Sequence, residues 1–182
     1  MTRHSLIRGV LGPGWGAVLT VSVLCGPARG GQIPEPDPAE ASAPRVRPLD
    51  ARAEAALRQG VERSTVVREL VAALDDGDLV VYIQTAQLQT RSLLTFMAAA
   101  PTRRFVRISL DFRSVQSCMV GWLGHELQHA VEVAGASDVR DQQGLERLFK
   151  RIGERSSSGG WCTRAAQHSG AAVLVELRAS CS

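Results

Sequence analysis

Aromatic residues make up only 4% of this 182-residue chain, and there is a single tyrosine. A core must therefore be built from aliphatic side chains and alanine, for which the 45% hydrophobic content suffices. Charge of one sign is also missing in bulk. The formal net charge of +3 is spread along the chain with no compact basic tract, which argues against a nucleic-acid-binding surface. There is no G-x-G-x-x-G, no phosphate loop and no internal repeat, so dinucleotide and nucleotide-phosphate chemistry have no sequence basis. Histidine and cysteine are scarce, at four each. The length suits one domain.

The first residues read as a targeting segment. Arg3, His4 and Arg8 form a basic head, and an apolar run follows from Val10 to Leu24. Glycines at 12, 14 and 16 leave that run too short and too permissive for a comfortable membrane span. Small residues around Ala28 offer cleavage sites. Residues 1–28 are thus expected to be a signal peptide. The protein is then exported, periplasmic or extracellular, with no stable membrane span in the mature form, or tethered by the leader if uncleaved. Six prolines between positions 27 and 50 mark residues 29–48 as a proline/alanine-rich linker, and the folded domain is expected over 49–182. Removing the leader takes away Cys25. Cys118, Cys162 and Cys181 remain, enough for one bridge and one free thiol, with Cys162–Cys181 and Cys118–Cys162 as two pairings.

Hydrophobic periodicity predicts a helix over 57–74 and a short strand over 79–83. Residues 88–99 are ambiguous, with a short helix as one reading. Residues 103–112 alternate: Val106, Ile108, Leu110 and Phe112 share one side, while Phe105, Arg107, Ser109 and Asp111 share the other. A helix over 114–134 follows, then one over 137–152 capped by Ser137, a serine-rich loop over 153–160, and a last helix over 163–177 capped by Thr163. The fold class is α+β: a short sheet packed against a central helix, with two helices after it.

That central helix carries His125-Glu126-Leu127-Gln128-His129, an H-E-x-x-H. Four residues advance a helix by about 400°, so the two imidazoles lie about 40° apart on one face and can meet one metal ion. Glu126 points about 100° away from His125, which suits it to a water on the metal rather than to the metal itself. This division of labour belongs to a zinc (Zn2+) hydrolase: His125 and His129 as ligands, and Glu126 as the base that activates a zinc-bound water for attack on a peptide bond. Val120, Leu123, Leu127, Val131 and Ala134 form the stripe that would bury the helix. Gly121 and Gly124 lower helix propensity and need a reason, such as a close neighbour.

Two histidines do not complete a catalytic zinc site, which takes three protein ligands. Glu132 shares their face but lies about 10 Å along the axis from His125, which favours a hydrogen bond to His129 over direct ligation. Glu146, on the next helix, is a candidate ligand whose plainer role is an i,i+4 pair with Lys150. His168 and Cys162 are further candidates. Cys162 would bind zinc as a thiolate, although a disulfide is its plainer fate.

Through His125 to His129 the chain resembles the zincin metallopeptidases, in particular compact gluzincin-like domains. The longer string GHELQHAVEVA is similar to small exported bacterial proteins of uncharacterised function. The resemblance implies His125 and His129 as metal ligands, Glu126 as general base, a glutamate on a following helix completing the site, and a substrate edge close to the 103–112 strand. The metzincin continuation is absent, since its glycine position is Glu132. The E-x-x-x-D pattern is absent too, since Lys150 follows Glu146 at that offset. Two alternatives stand beside the metallopeptidase reading, with its peptide or protein substrate: an exported non-catalytic metal-binding domain, and an interaction domain without metal.

Overall fold

The computed structural model describes residues 43–156, 160–179 and 181. The expected signal peptide and most of the expected linker lie outside the described residues. The elements run β1 (Val46–Pro48), α1 (Ala51–Arg63), α2 (Thr65–Asp75), β2 (Leu79–Ala86), β3 (Ser92–Ala99), β4 (Arg104–Asp111), α3 (Gln116–Ala134), α4 (Gln142–Ile152), β5 (Glu154–Arg155), β6 (Trp161–Cys162) and α5 (Arg164–Leu177). This is a small mixed α+β domain. Four strands form one sheet in the order β1-β2-β4-β3, and β5 pairs with β6 in a separate two-stranded ribbon. No helix among the described residues is long and apolar enough to cross a membrane.

Strands β1, β2 and β4 are parallel, and β3 runs antiparallel to β4. Val106, Ile108 and Leu110 of β4 are fully buried, as are Leu123, Leu127, Ala130 and Val133 of α3, and all belong to one core. The 3.6-residue stripe of α3 thus meets the period-2 face of the sheet, as the alternation requires. Leu74, Val67 and Val173 extend the same core under α2 and α5.

Several boundaries differ from expectation, each for a local reason. The helix expected over 57–74 is two helices. Ser64 takes an extended conformation between them, and its hydroxyl accepts from the Val67 N–H, so one serine ends α1 and caps α2. Of the ambiguous 88–99 stretch, Ser92–Ala99 form a strand. Leu, Met and Ala there favour a helix, but pairing with β4 from Ser92↔Leu110 to Ala99↔Arg104 overrides propensity. Helix α4 begins at Gln142, not 137, because Asp141 accepts from Gly144 N–H and is the cap. Val46–Pro48, expected in the linker, pair with Val81–Ile83 at a sheet edge. A proline is tolerated at such an edge because the outer N–H needs no partner. The 103–112 strand, expected near the substrate edge, lies inside the sheet between β2 and β3; β3 is the edge.

The buried guanidinium of Arg104 ties α3 to the sheet. Its side chain is 1% exposed, and it donates to both carboxylate oxygens of Asp78 at 2.8 and 2.7 Å. It also donates to the carbonyls of Val133 (2.9 Å), Ala134 (3.1 Å) and Ala136 (2.6 Å) at the end of α3, and to that of Val139 (3.3 Å). The last carbonyls of a helix have no intrahelical donor, and a fixed cation there satisfies them and the helix dipole together. The hydrogen bonds from Arg104 hold the Asp78 carboxyl below the usual carboxylate range.

Helix α5 crosses α3 with unusually small separation. A Cβ on Gly124 would stand 2.6 Å from Val173 Cγ2, and one on Gly121 would stand 2.5 Å from Leu174 Cδ2. The close neighbour for which the two glycines make room is a helix, α5. A disulfide joins Cys118, in the first turn of α3, to Cys181, beyond the end of α5. Neither expected pairing forms, and Cys162 is free and buried.

Arg104→Met should destabilise the domain by about 3 kcal/mol. That is the lower end of the range for breaking a buried ion pair, because Asp78 is 38% exposed and can rehydrate. Urea unfolding of the two proteins measures it, and a loss under about 1 kcal/mol would mean that water replaces the guanidinium. A bridge closing a loop across 63 residues is worth about 4 kcal/mol in chain entropy. Unfolding of a Cys118→Ser/Cys181→Ser protein is therefore expected to show a loss of about 2–4 kcal/mol, with the Cys162 thiol still unmodified.

Candidate metal centre

The site grows from one face of α3. His125 and His129 lie one turn apart with ring centroids 4.9 Å from each other and planes at 79°. Opposite them, the β5–β6 ribbon ends in Cys162, whose Sγ is 3.5 Å from His125 Nε2. One donor atom from each of His125, His129 and Cys162 lies within 4.8 Å of the others, and no other such group occurs among the described residues. Two zinc–nitrogen bonds and one zinc–thiolate bond in tetrahedral geometry would put sulfur and nitrogen about 3.5 Å apart. The Cys162–His125 separation already has that value, and the other pairs, all within 4.8 Å, need a contraction of at most about 1.5 Å. The donor set fits zinc: two imidazoles and a soft thiolate.

Neighbours surround the candidate donors and fix the ring of His129. His129 Nδ1 donates to Glu132 Oε2 at 2.8 Å, which leaves Nε2 with its lone pair for a metal. Glu132 Oε1 accepts from the hydroxyl of Thr163 at 2.6 Å. The ring of Phe149 meets His129 edge-on at 4.7 Å, and Trp122 stands 6.4 Å from His125. Gly170 of α5 brings its backbone so close that a Cβ there would be 3.2 Å from His125 Cβ. The close α3–α5 crossing therefore also forms the back wall of the site.

Electrostatics prepare the same atoms. The His125 imidazole is pushed down to about 4, first by burial and then by the nearby His129 ring, so it is neutral and free to bind at ordinary pH. Burial pushes the Cys162 thiol up, and the carboxylates of Glu126 and Glu132 act in the same direction. Without a cation, Cys162 is therefore a poor nucleophile, and the Cys162–His125 contact does not read as an activated thiol dyad. Glu126, 5% exposed, accepts from the Ser92 hydroxyl of β3 at 2.6 Å. Burial pushes its carboxyl up despite that bond.

A cleft of about 810 Å³ opens onto these groups. Ser92 and Leu94 of edge strand β3 form one wall, Trp161 and Cys162 of the ribbon another, and Leu145, Glu146 and Phe149 of α4 a third. Of the residues singled out in the sequence, His125, Glu126 and His129 meet in this cleft, and Cys162 joins the two histidines as the third donor. Glu132 stands behind His129. Glu146 is solvent-exposed on the cleft wall and is not part of the donor group. His168 is solvent-exposed on α5 and is not part of it either. In helix α5 it is Ser169 and Gly170, next along the chain, that turn toward α3. Ser92 carries no local signal; only the pairing of β3 brings it to Glu126.

No family model, curated protein or solved structure matches the chain. The site therefore rests on its own geometry: a His/His/Cys group able to hold a metal ion.

The stability of the metal-free protein gives a direct check on Glu126. A carboxyl whose folded pKa is raised keeps its proton after the unfolded chain has released it. Stability is then lost as pH rises above the unfolded value of 4.5 toward the folded one. Glu126→Gln carries no such charge and can still accept from Ser92. Its stability relative to the parent should therefore increase from pH 4.5 to pH 7.5, while the opposing slope from His125 cancels in the comparison. Parallel denaturant curves at both pH values read the difference; no change would mean that Glu126 is solvated.

Proposed function

We propose that this chain is a zinc-binding domain, with the metal held by His125, His129 and Cys162, and that its site is arranged for hydrolysis of a peptide bond. The observation that carries the metal reading is the convergence of three donor atoms from α3 and β6 in one cleft. A closed structural site takes four protein ligands, whereas three ligands beside a cleft leave a position for a substrate or water. Zinc held there supplies Lewis acidity toward water and toward a carbonyl oxygen.

The hydrolytic part of the reading rests on Glu126. Ser92 engages Oε1, so the second oxygen is the one left to take and return a proton. A raised carboxyl pKa moves that exchange toward neutral pH. Edge strand β3 supports a peptide as the substrate. Phe96 N–H bonds to Gln142 Oε1 instead of β4. Two-residue alternation then turns the backbone N–H and C=O of Leu94 away from β4 on the cleft side, the direction in which an added strand would pair. The arrangement is zincin-like in its chemistry, with a cysteine where the resemblance implied a glutamate.

Non-catalytic metal binding is the second reading, and the same donor set supports it without reference to Glu126. Metal would then cross-link α3 to the ribbon and contribute folding energy. Export belongs to the proposal as well. The basic head and apolar run at the start support it, together with a disulfide that persists only in an oxidising compartment.

Elemental mass spectrometry of the purified protein is the deciding experiment. About one zinc per chain is expected, and near none in His125→Ala, His129→Ala or Cys162→Ser. Glu126→Gln should keep its zinc and lose cleavage of a peptide library by about 10²–10⁴-fold. Zinc without any Glu126-dependent cleavage would favour the non-catalytic reading. No zinc in folded protein would leave an interaction domain.

A further inference from the structure

Thr163 performs two tasks with one hydroxyl. Its Oγ1 accepts from Ala166 N–H at 3.1 Å as the N-cap of α5, and donates to Glu132 Oε1 at 2.6 Å. The other oxygen of Glu132 holds His129 Nδ1. Thr163 is buried, and it directly follows Cys162 in the chain. The thiol donor and the imidazole donor come from separate elements, β6 and α3. Thr163 is the residue through which the chain segment carrying one reaches the side chain carrying the other.

We infer that Thr163 is a positioning residue of the metal centre, which locks the His129 tautomer through Glu132 and fixes Cys162 relative to it. The inference rests on the metal reading above. A carboxylate that accepts from a ligand histidine raises the basicity of that ring and fixes its orientation, but only if the carboxylate is itself held. Glu132 is a long side chain with three rotatable bonds, and the hydroxyl of Thr163 removes that freedom. The donating proton has a single destination: the Ala166 N–H already occupies the hydroxyl as acceptor, so the Oγ1–H points to Glu132. A capping role alone would need only the first of these bonds. The second spends the hydroxyl proton on the site.

The test compares Thr163→Val, which keeps the branched shape, with Thr163→Ser, which keeps the hydroxyl. The probe is zinc(II), titrated against a chromophoric chelator. Thr163→Val should weaken zinc binding about tenfold, and Thr163→Ser should stay within about twofold of the parent. In a Glu132→Ala background the valine substitution should cost nothing further in affinity, although it still lowers the unfolding midpoint by removing the cap. Thr163→Val that destabilises the fold but leaves zinc affinity within about twofold would overturn the inference and leave a cap only. So would additive losses in the double variant, or a serine variant as weak as the valine one. Ring ¹⁵N shifts of His129 in metal-free protein supply the second readout: one Nδ1–H tautomer in the parent, and a mixture in Thr163→Val. If the parent binds no zinc at all, the metal reading fails. The ring shifts then decide separately whether Thr163 sets the tautomer, and an unchanged tautomer in Thr163→Val overturns that too.

Discussion

The guanidinium of Arg104 is the constraint on which the position of the central helix depends. Helix α3 ends in a half-buried turn, where Val133 and Ala136 already accept from the backbone N–H groups of Ala136 and Val139, and a fixed cation adds to those bonds and meets the helix dipole. Arg104 brings a rigid fork of N–H groups to that end and spends the rest on Asp78, at the start of β2. Lysine in its place would offer one point charge and could not reach four carbonyls and a carboxylate together. The C-terminal end of α3 is thereby fixed in height against the sheet. The histidines one and two turns back from that end inherit the position.

At the other end, the Cys118–Cys181 bridge and the glycine-lined crossing hold α5 against α3. The two constraints act on different neighbours: Arg104 sets α3 against β4, and the glycines set α5 against α3. Between them lies the face with His125 and His129. Cys162 completes the group because Thr163 caps α5, so the start of that helix delivers the thiol across from the imidazoles. Polar groups buried there are paired in series. Ser92 holds Glu126, and Thr163 holds Glu132, which holds His129. Such chains are expensive when broken and rigid when complete, which is what a preorganised ligand set needs.

Much of the fold was legible where one period dominates. The alternation of Phe105 to Asp111 and the stripe of Val120 to Ala134 correspond to β4 and α3, and Thr163 is the cap it was expected to be, whereas Phe112, expected on the apolar side, follows β4 and is exposed. The failures share a cause. Ser64 divides a helix that periodicity alone runs through, because its hydroxyl caps the second segment while its extended backbone ends the first, a local competition that periodicity does not register. Ser92 to Ala99 reads as helical by composition and is a strand by pairing. Asp141 wins over Ser137 as a cap by where α4 must start to reach the cleft.

Sequence alone determined that His125 and His129 share a helix face with Glu126 beside them, because a spacing of four in an amphipathic helix permits little else. It also determined that Glu132 would stand near that face without joining the pair. Tertiary structure alone decided the third donor. The sequence put Glu146 first and His168 next, and read Cys162 more plainly as a disulfide partner, since each lies on a later element whose return path depends on packing. The close crossing at Gly121 and Gly124 brings the start of α5 to the histidines, and the bridge from Cys118 takes Cys181, so Cys162 is the thiol left at the site. Local spacing fixes angles around one helix; distances between helices come only from what lies between them.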